Sequence, residues 1–408
     1  MDLAAIWRIE SPRLIAGLTR LVRDVSIAEE LAHDAMIAAM EQWPREGTPR
    51  NPGAWLMQAA KHRALDTLRR GQLHQRSTDA IAHQTDEAVT SDVEDKLDDD
   101  IGDDLLKLIF VSCHPLLSRE GQVALTLRLV GGLTTPEIAR AFLQPETTIQ
   151  QRIVRAKKTL SEANVPFEVP HGEARHERLE AVLGVVYLIF NEGYSATSGD
   201  DWLRPALCND ALRLGRVIAG LMPDEDEVFG LLALMELQAS RSRARTAADG
   251  APILLLDQDR SAWDWLQIDR GLKALDKATT LADGELGAYA LQAAIAACHG
   301  CARQASDTDW SRIASLYDEL ADLTPSPIVE LNRAVAVGMA EGPAAGLALV
   351  DELVKLDVLK NYHLLPSVRG DLLAKLGRKE EARAEFQRAA EMTQNQRERE
   401  LLLKRAKE

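Results

Sequence analysis

Between Gly132 and Leu160 the sequence carries two short helical patterns in succession, and the second has a polar outer face. Thr134 or Thr135 can cap the first helix, and Thr147 is expected to open the second. Side chains near the start of such a helix can reach base edges in a major groove, while later cations neutralise phosphates. The pattern predicts a helix-turn-helix that binds DNA, although an ordinary helical hairpin with a solvated face has the same spacing. The candidate DNA-binding residues are Thr147, Thr148, Gln150, Gln151, Arg152, Arg155, Lys157 and Lys158, and the inward-facing residues are Ile149, Ile153 and Ala156.

The rest of the chain predicts an all-α protein that can position this pair of helices. Of the 408 residues, 46% are hydrophobic and 27% charged, whereas aromatic residues make up 4%, and good helix formers outnumber alternating β-branched runs. No apolar run reaches the length of about 18 residues that suggests a membrane-spanning helix, and the charges in the first 25 residues argue against a secretory signal. Four cysteines do not make a disulfide framework, so we expect a cytoplasmic protein without membrane contact.

The charge is distributed unevenly along the sequence. Residues 1–76 hold 11 Lys and Arg against 9 Asp and Glu, whereas residues 77–104 hold 11 acidic residues against Lys96. Residues 105–165 hold 8 basic against 4 acidic residues, which leaves −11 of the net −15 for residues 166–408. This pattern predicts two mildly basic segments that are joined by an acidic flexible linker and followed by a large acidic domain.

The helix-turn-helix segment also resembles a known family. Residues 132–160 read GLTTPEIARAFLQPETTIQQRIVRAKKTL and align without a gap with the fourth region of bacterial sigma-70 factors of the extracytoplasmic-function class. The resemblance implies that this segment binds the −35 promoter element. Leu143 departs from the usual Gly in the turn, where a left-handed conformation would cost a leucine about 1 kcal/mol. The residues in register are Gly132, Leu133, Glu137, Ile138, Ala139, Pro145, Thr148, Arg152, Arg155, Ala156 and Leu160.

The N-terminal segment resembles the second region of the same class. Residues 28–36 are similar to the helix that docks on the RNA polymerase clamp, and we expect Ser26 to cap it in a capping box with Glu29. Without the resemblance, the same pattern favours an amphipathic core helix. The resemblance implies that the polymerase-binding residues are Glu29, Glu30, His33, Asp34 and Met36.

The helix predicted from Trp55 to Arg70 resembles the one that, with the loop before it, binds the −10 element. Opening a duplex requires a pocket for an extruded base and cations for the displaced strand. We expect the loop between Trp43 and Trp55 to frame that pocket, although a basic helix face is more often simply solvated. The residues that the resemblance assigns to −10 binding are Asn51, Trp55, Lys61, Arg63, Arg69 and Arg70.

The acidic linker and the C-terminal segment extend the resemblance to the whole chain. In this class the linker threads toward the RNA exit channel, so residues 77–104 would mimic nucleic acid there; a role in solubility alone is equally compatible with their composition. Residues 185–197 and 253–265 resemble a subgroup with a C-terminal extension of tetratricopeptide type. Near the C-terminus, Ala382, Phe386 and Ala389 are expected on a packing face of such a repeat. The resemblance implies that the extension replaces a separate anti-sigma partner or supports the active shape.

The sequence therefore predicts four parts: residues 1–76 (region 2, binding core polymerase and the −10 element), 77–104 (acidic linker), 105–165 (region 4, binding the −35 element) and 171–408 (a tetratricopeptide-like domain). The implied partners are core RNA polymerase, through its β′ clamp and β flap, and promoter DNA, without a dedicated anti-sigma factor. Two interpretations stay open for Asp257, Asp259 and Arg260: a polar contact with the sigma domains or the polymerase, or a salt-bridged cap inside their own loop.

No catalytic residue, cofactor or metal is expected. The Cys298–Cys301 pair lacks further ligands at a suitable spacing, so buried core thiols are the favoured interpretation. One alternative is a transcriptional regulator that has a helix-turn-helix and senses a ligand or peptide in its repeat domain. Another is a sigma factor fused to an enzyme, which predicts a polar pocket around Glu192, Asp257 or Asp259.

Overall fold

The computed structural model describes residues 3–64, 101–196, 198–356 and 359–407. The chain divides into two compact units, Met1–Val186 and Tyr187–Glu408. Within the described ranges both units are built from α-helices, and the paired strands are two residues long, which confirms the all-α prediction. No helix in these ranges is long and apolar enough to cross a membrane.

The first unit contains both segments that the sequence assigns to regions 2 and 4. Residues 65–100, which include most of the predicted acidic linker as well as Arg69 and Arg70, lie outside the described part of the chain. The helices of this unit are α1 (Leu3–Val22), α2 (Val25–Glu46), α3 (residues 52–64), α4 (Ile101–Ser112), α5 (Arg119–Leu129), α6 (Thr135–Ala141), α7 (Glu146–Glu162) and the first part of α8 (Glu173–Tyr194).

Helix α2 is capped by Asp24 and not by Ser26. The Asp24 carboxylate accepts hydrogen bonds from the backbone N–H groups of Ser26 at 2.7 Å and Ile27 at 3.0 Å. Ser26 therefore lies inside the first turn, and the predicted capping box with Glu29 is wrong. Both residues are good capping types, but the aspartate comes first in the chain and satisfies two of the free N–H groups at the helix start.

Helices α6 and α7 form the predicted helix-turn-helix. Thr134 caps α6, and Glu137 completes a capping box by accepting a hydrogen bond from the Thr134 backbone at 2.7 Å. In the turn, Leu143 has a φ of 49°. This is the left-handed conformation that the usual glycine at this position indicated. Helix α7 begins at Glu146, directly after Pro145, rather than at Thr147. The residues that α7 buries are Ile149, Ile153, Ala156 and Leu160, so the predicted inner face is confirmed.

The second unit is a succession of packed helices with a few single-turn 3₁₀ segments. The 3₁₀ segments are Ser242–Ala244, Leu255–Asp257, Arg260–Ala262 and Ala305–Asp307. After the end of α8, the helices are α9 (Pro205–Leu221), α10 (Asp226–Ala239), α11 (Trp265–Leu281), α12 (Ala288–Cys301), α13 (Trp310–Leu323), α14 (Pro327–Ala340), α15 (Pro343–Lys355), α16 (Leu364–Lys375), α17 (Lys379–Met392) and α18 (Gln396–Arg405).

The helix pairs near the C-terminus pack through small residues. Gly346 of α15 lies so close to α14 that a Cβ there would meet the Ala334 carbonyl oxygen at 2.6 Å. On α17, Ala382, Phe386 and Ala389 are all buried, as the repeat-like spacing predicted. The C-terminal domain is thus helical, while its assignment to the tetratricopeptide type stays a prediction.

A short strand pair joins the beginning of the second unit to its end. Strand β1 (Ser198–Gly199) pairs in parallel with β2 (Gln394–Asn395). The Asn395 side chain is buried and donates hydrogen bonds to the carbonyl oxygens of Ala196 at 3.1 Å and Asp201 at 2.9 Å. The backbone carbonyl groups near residue 200 are therefore hydrogen-bonded by a residue that is about two hundred positions away in the chain.

Candidate nucleic-acid interface

The outer face of α7 presents most of the predicted −35 residues to solvent. Its inner face packs on α5 and α6, which fixes the orientation of the helix. Thr148 and Arg152 are half-buried at the edge of that face. Lys158 is exposed and lies 3.6 Å from Glu162, one turn further on. The fully exposed members of the predicted set are Thr147, Gln150, Gln151, Arg155 and Lys158.

Two of the predicted −10 residues, Asn51 and Trp55, lie at the start of α3. Asn51 caps this helix by accepting a hydrogen bond from the Ala54 N–H at 3.1 Å. Trp55 meets Trp43 edge to face, with ring centroids 5.3 Å apart. Trp43 is buried within α2, so the connecting loop is only residues 47–51, shorter than the predicted span. Lys61 is half-buried, on the same helix as Trp55.

The predicted polymerase-binding residues divide into an exposed and an enclosed group. Glu30 and Asp34 are exposed on α2, and Asp34 lies 3.6 Å from Arg63 of α3. His33 and Met36 are half-buried. Glu29, in contrast, is only 5% exposed. A carboxylate that is removed from water in this way requires cationic or hydrogen-bonding partners.

The partners of Glu29 come from α5 and α7 of the region 4 segment. Arg128 donates from Nε to Glu29 Oε1 at 2.6 Å, and Lys157 pairs with Glu29 Oε2. Arg128 also donates to the Leu133 carbonyl oxygen at 3.2 Å, which ties the same side chain to the turn before α6. Burial alone would raise the pKa of Glu29, but Lys157 and Arg128 together lower it below its usual value. Glu29 is therefore the centre of a charged cluster, together with Arg128, Lys157 and His33, that we call the Glu29 cluster.

His33 completes the cluster in its neutral form. Its Nδ1 lies 2.9 Å from the Glu29 carbonyl oxygen, and its Nε2 lies 3.0 Å from the Arg128 guanidinium. Since a carbonyl only accepts and a guanidinium only donates, this geometry fits a ring that is protonated on Nδ1 alone. Burial lowers the pKa of His33, and Arg128 and Lys157 lower it further, whereas Glu29 acts in the opposite direction.

Further contacts join α1 and the start of α2 to the later helices of the first unit. Arg8 of α1 lies 3.2 Å from Glu137 of α6, and Arg20 of α1 lies 3.2 Å from Asp104 of α4. Ser161, at the end of α7, donates to Asp24 at 3.2 Å. Helix α1 also packs along α4. The region 2 and region 4 segments are therefore in direct contact in this structure.

Sequence reasoning assigned Lys157 to DNA and did not identify Arg128. A weak signal was present, because Glu29 adjoins the buried stripe of Ala28, Ala32 and Ala35 on α2. A carboxylate at that position indicates a partner from another segment, but not which one.

In the second unit, Arg260 is part of the interior. Its guanidinium donates to the carbonyl oxygens of His299 at 2.9 Å and Ala302 at 2.7 Å, and to the Thr308 hydroxyl at 3.2 Å. Asp259 caps the 3₁₀ turn that begins at Arg260 by accepting from the Ser261 N–H at 2.9 Å. Asp259 thus caps a turn of its own loop, as the second interpretation expects, but these contacts are hydrogen bonds to neutral groups and not the expected salt bridge. Asp257 and Asp259 are exposed, and the choice between the two interpretations stays a prediction.

The other candidates of the second unit do not gather into one pocket. Glu192 pairs with Arg204. A cavity of about 630 Å³ is lined by Trp202, Asn209, Arg243, Asp264 and Gln267 among others, and by none of Glu192, Asp257 or Asp259. Cys298 is half-buried and Cys301 exposed, so the expectation of two buried thiols is wrong. Among the described residues, no group of three or more His, Cys, Asp or Glu could hold a metal ion.

Comparison with known proteins identifies three matching segments. Residues 6–73 match sigma-70 region 2, and residues 107–160 match sigma-70 region 4. Residues 178–279 match a family of unknown function, DUF6596. An uncharacterized protein from Rhizobium meliloti (strain 1021) is 43% identical over 389 residues, which cover 94% of this chain and 90% of the relative.

Proposed function

The chain belongs to the sigma-70 family, and from this premise we propose how its residues divide the tasks of a sigma factor of the extracytoplasmic-function class. Sigma-70 regions 2 and 4 bind core RNA polymerase and promoter DNA. We assign polymerase binding to α2 against the β′ clamp and to the region 4 segment against the β flap. Recognition of the −10 element is assigned to the α2–α3 junction, and recognition of the −35 element to α7.

The assignment of the −35 site depends chiefly on the amphipathic character of α7. Helix α7 buries Ile149, Ile153, Ala156 and Leu160. Gln150 and Gln151 are exposed in its first half, the part that a helix-turn-helix presents to base edges, and Arg155 is exposed just past the midpoint. A base contact is worth about 1–3 kcal/mol, so Arg152→Ala should weaken promoter activity and relax base preference. Lys158→Ala should lower affinity uniformly across sequences, since phosphate contacts carry no sequence information. If Lys158→Ala alone changed base preference, the assumed docking would be wrong.

Polymerase binding is tested most cleanly at Asp34. The residue is exposed, and its ion pair with Arg63 is also exposed, so Asp34→Lys should cost little stability. We expect the variant to compete less well against another sigma factor for core polymerase. Glu41→Lys, an exposed change of the same charge on the same helix, is the matched control. Equal competition by the two variants would contradict the assignment.

For the C-terminal helical domain we propose a regulatory or supporting role in place of a separate anti-sigma partner. The support is the charge distribution, because residues 166–408 carry −11 whereas both sigma segments are mildly basic. Charge reversal of the exposed Asp257 and Asp259 to Lys should then change promoter-specific transcription in vitro, and the change should shrink as salt increases. Reversal of Asp224 and Glu341, two exposed acidic residues elsewhere in the domain, is the control. Identical behaviour of the two double variants would remove Asp257 and Asp259 from this role.

The alternative function, a ligand-sensing regulator with a helix-turn-helix, is favoured by one observation. The cavity beside Trp202 and Arg243 is large enough for a small molecule and carries mixed polar groups. Competition for core polymerase separates the two functions, since a regulator of that kind does not displace a sigma factor from the core enzyme.

A further inference from the structure

The Glu29 cluster uses residues that the proposed function needs elsewhere. Glu29 and His33 belong to the face assigned to polymerase, and Lys157 belongs to the face assigned to promoter DNA. In this structure both carboxylate oxygens of Glu29 are occupied, and the side chains of Arg128 and Lys157 are only 17% and 16% exposed. Neither binding face is therefore complete while the cluster is closed.

We propose that the Glu29 cluster is an autoinhibitory latch: it holds region 2 on region 4 in the free protein, and core RNA polymerase binds only when it opens. This inference deepens the proposed function and rests on it, because the face that the latch covers is the one assigned to the polymerase. Arg128, which lies outside both predicted binding sets, acts as the dedicated latch residue.

Competition for the same atoms makes the closed and the bound states mutually exclusive. A polymerase group that binds the Glu29 carboxylate must replace Arg128 or Lys157, and a DNA phosphate that binds Lys157 must replace Glu29. A partner can open the latch only by the difference between its affinities for the open and the closed forms. The closed form therefore reduces the apparent affinity for polymerase by the fraction of molecules that are open.

The neighbouring contacts show how the latch can open as a unit. Arg8 with Glu137 and Asp24 with Ser161 flank the cluster, and all of these pairs join polar groups that regain water when the segments separate. The ion pairs of Glu29 differ from these, because they are buried. Loss of one cation leaves the Glu29 carboxylate buried in the contact with only one cationic partner, which destabilises the closed form. Removal of Arg128 should therefore shift the equilibrium toward the open form.

The first test measures affinity for core polymerase in the full-length protein. Arg128→Ala should bind about tenfold more tightly than the wild type, which corresponds to a shift of about 1.4 kcal/mol in the opening equilibrium. Arg119→Ala is the matched control, because Arg119 lies on the same helix and donates a hydrogen bond to Gln122 of its own segment, at 3.4 Å. An Arg128→Ala protein that keeps its helical content but binds polymerase no better than the control would overturn the latch.

The second test does not depend on how well Arg128→Ala folds. In a background with Cys298→Ser and Cys301→Ser, the pair Asp24→Cys and Ser161→Cys allows a short, cleavable thiol crosslinker to lock the closed form. The locked protein should lose polymerase binding, and reductive cleavage of the crosslinker should restore it. Binding that survives the lock overturns the latch alone. If the protein before crosslinking also fails to bind core polymerase, the proposed function fails, and the latch fails with it.

Discussion

Replacing Gly132 with alanine should loosen the contact between α1 and the turn before α6. Gly132 has a φ of 68°, and a Cβ at this position would lie 3.1 Å from the Cα and the carbonyl oxygen of Arg8 and 3.2 Å from the Ser11 hydroxyl. Two of these three atoms belong to a helix backbone, which cannot rotate aside as a side chain can. The glycine is therefore required both by its conformation and by the close approach of α1.

The two costs of this substitution are of different kinds. A left-handed alanine costs about 1–2 kcal/mol, and overpacking against a fixed backbone costs about 1–3 kcal/mol. Gly172→Ala is the matched control, because Gly172 has a φ of 60° but nothing lies within 4 Å of its added Cβ. The difference between the two variants isolates the crowding. Since separation of α1 from residue 132 relieves that crowding, the excess should appear as opening of this contact.

Amide hydrogen exchange, read by mass spectrometry on α1 peptides, measures this opening directly. An excess of 1–3 kcal/mol corresponds to an increase in α1 exchange of roughly 5- to 150-fold for Gly132→Ala. Gly172→Ala should leave exchange in α1 unchanged. If the two variants exchanged alike in α1, the packing of Gly132 against α1 would not exist in solution, and the closed arrangement would lose one of its supports.

Two further predictions follow from the turn and from the cluster. Leu143→Gly should raise the free energy of unfolding by about 1 kcal/mol, because glycine adopts a φ of 49° without strain and the leucine side chain is 54% exposed. An unchanged or lower melting temperature would contradict this. Acidification from about pH 7.5 to 5.5 should favour the open form, because burial, with Arg128 and Lys157, lowers the pKa of His33, so that the open form takes up the proton first. Neutral His33 stabilises the closed form fully above pH 6.5, and this stabilisation decreases at lower pH by at most about 1.4 kcal/mol per pH unit. The pKa of Glu29 is lowered from 4.5, so the stabilisation of the closed form by ionised Glu29 is lost only at pH values below 4.5. Energy transfer between dyes at the exposed positions 40 and 116 should report the opening, and a pH response that persists in His33→Gln would assign it to another group.

The helices of this protein could be predicted from the sequence because their signals are local. The period of Ile149, Ile153 and Ala156 placed the buried face of α7, and the spacing of Ala382 and Phe386 placed that of α17. Helix starts were less certain, because Asp24 and Ser26 are both good caps and only the actual hydrogen bonds distinguish them. In the same way, α7 begins at Glu146, one residue before the predicted Thr147, and Pro145 at its N-cap position has no side chain that could cap it.

The contact between the two sigma segments could not be predicted by the same reasoning. Glu29 is 99 residues from Arg128 and 128 residues from Lys157, and no periodicity connects positions at such distances. The charges of all three are ordinary for exposed helix faces, so the sequence alone favours three solvated residues. Only the packing of α1 and α2 against the later helices brings the carboxylate between the two cations.

The hydrogen bonds of Asn395 have a consequence for how the C-terminal domain can change in length. An open array of helical repeats tolerates loss of its last repeat, because each unit contacts only its neighbours. Here a truncation before residue 395 would leave the carbonyl groups of Ala196 and Asp201 without the side chain that binds them, at the opposite end of the domain in sequence. Loss of helices from the C-terminal end of this domain is therefore restricted, and a chain truncated there should also be destabilised near residue 200.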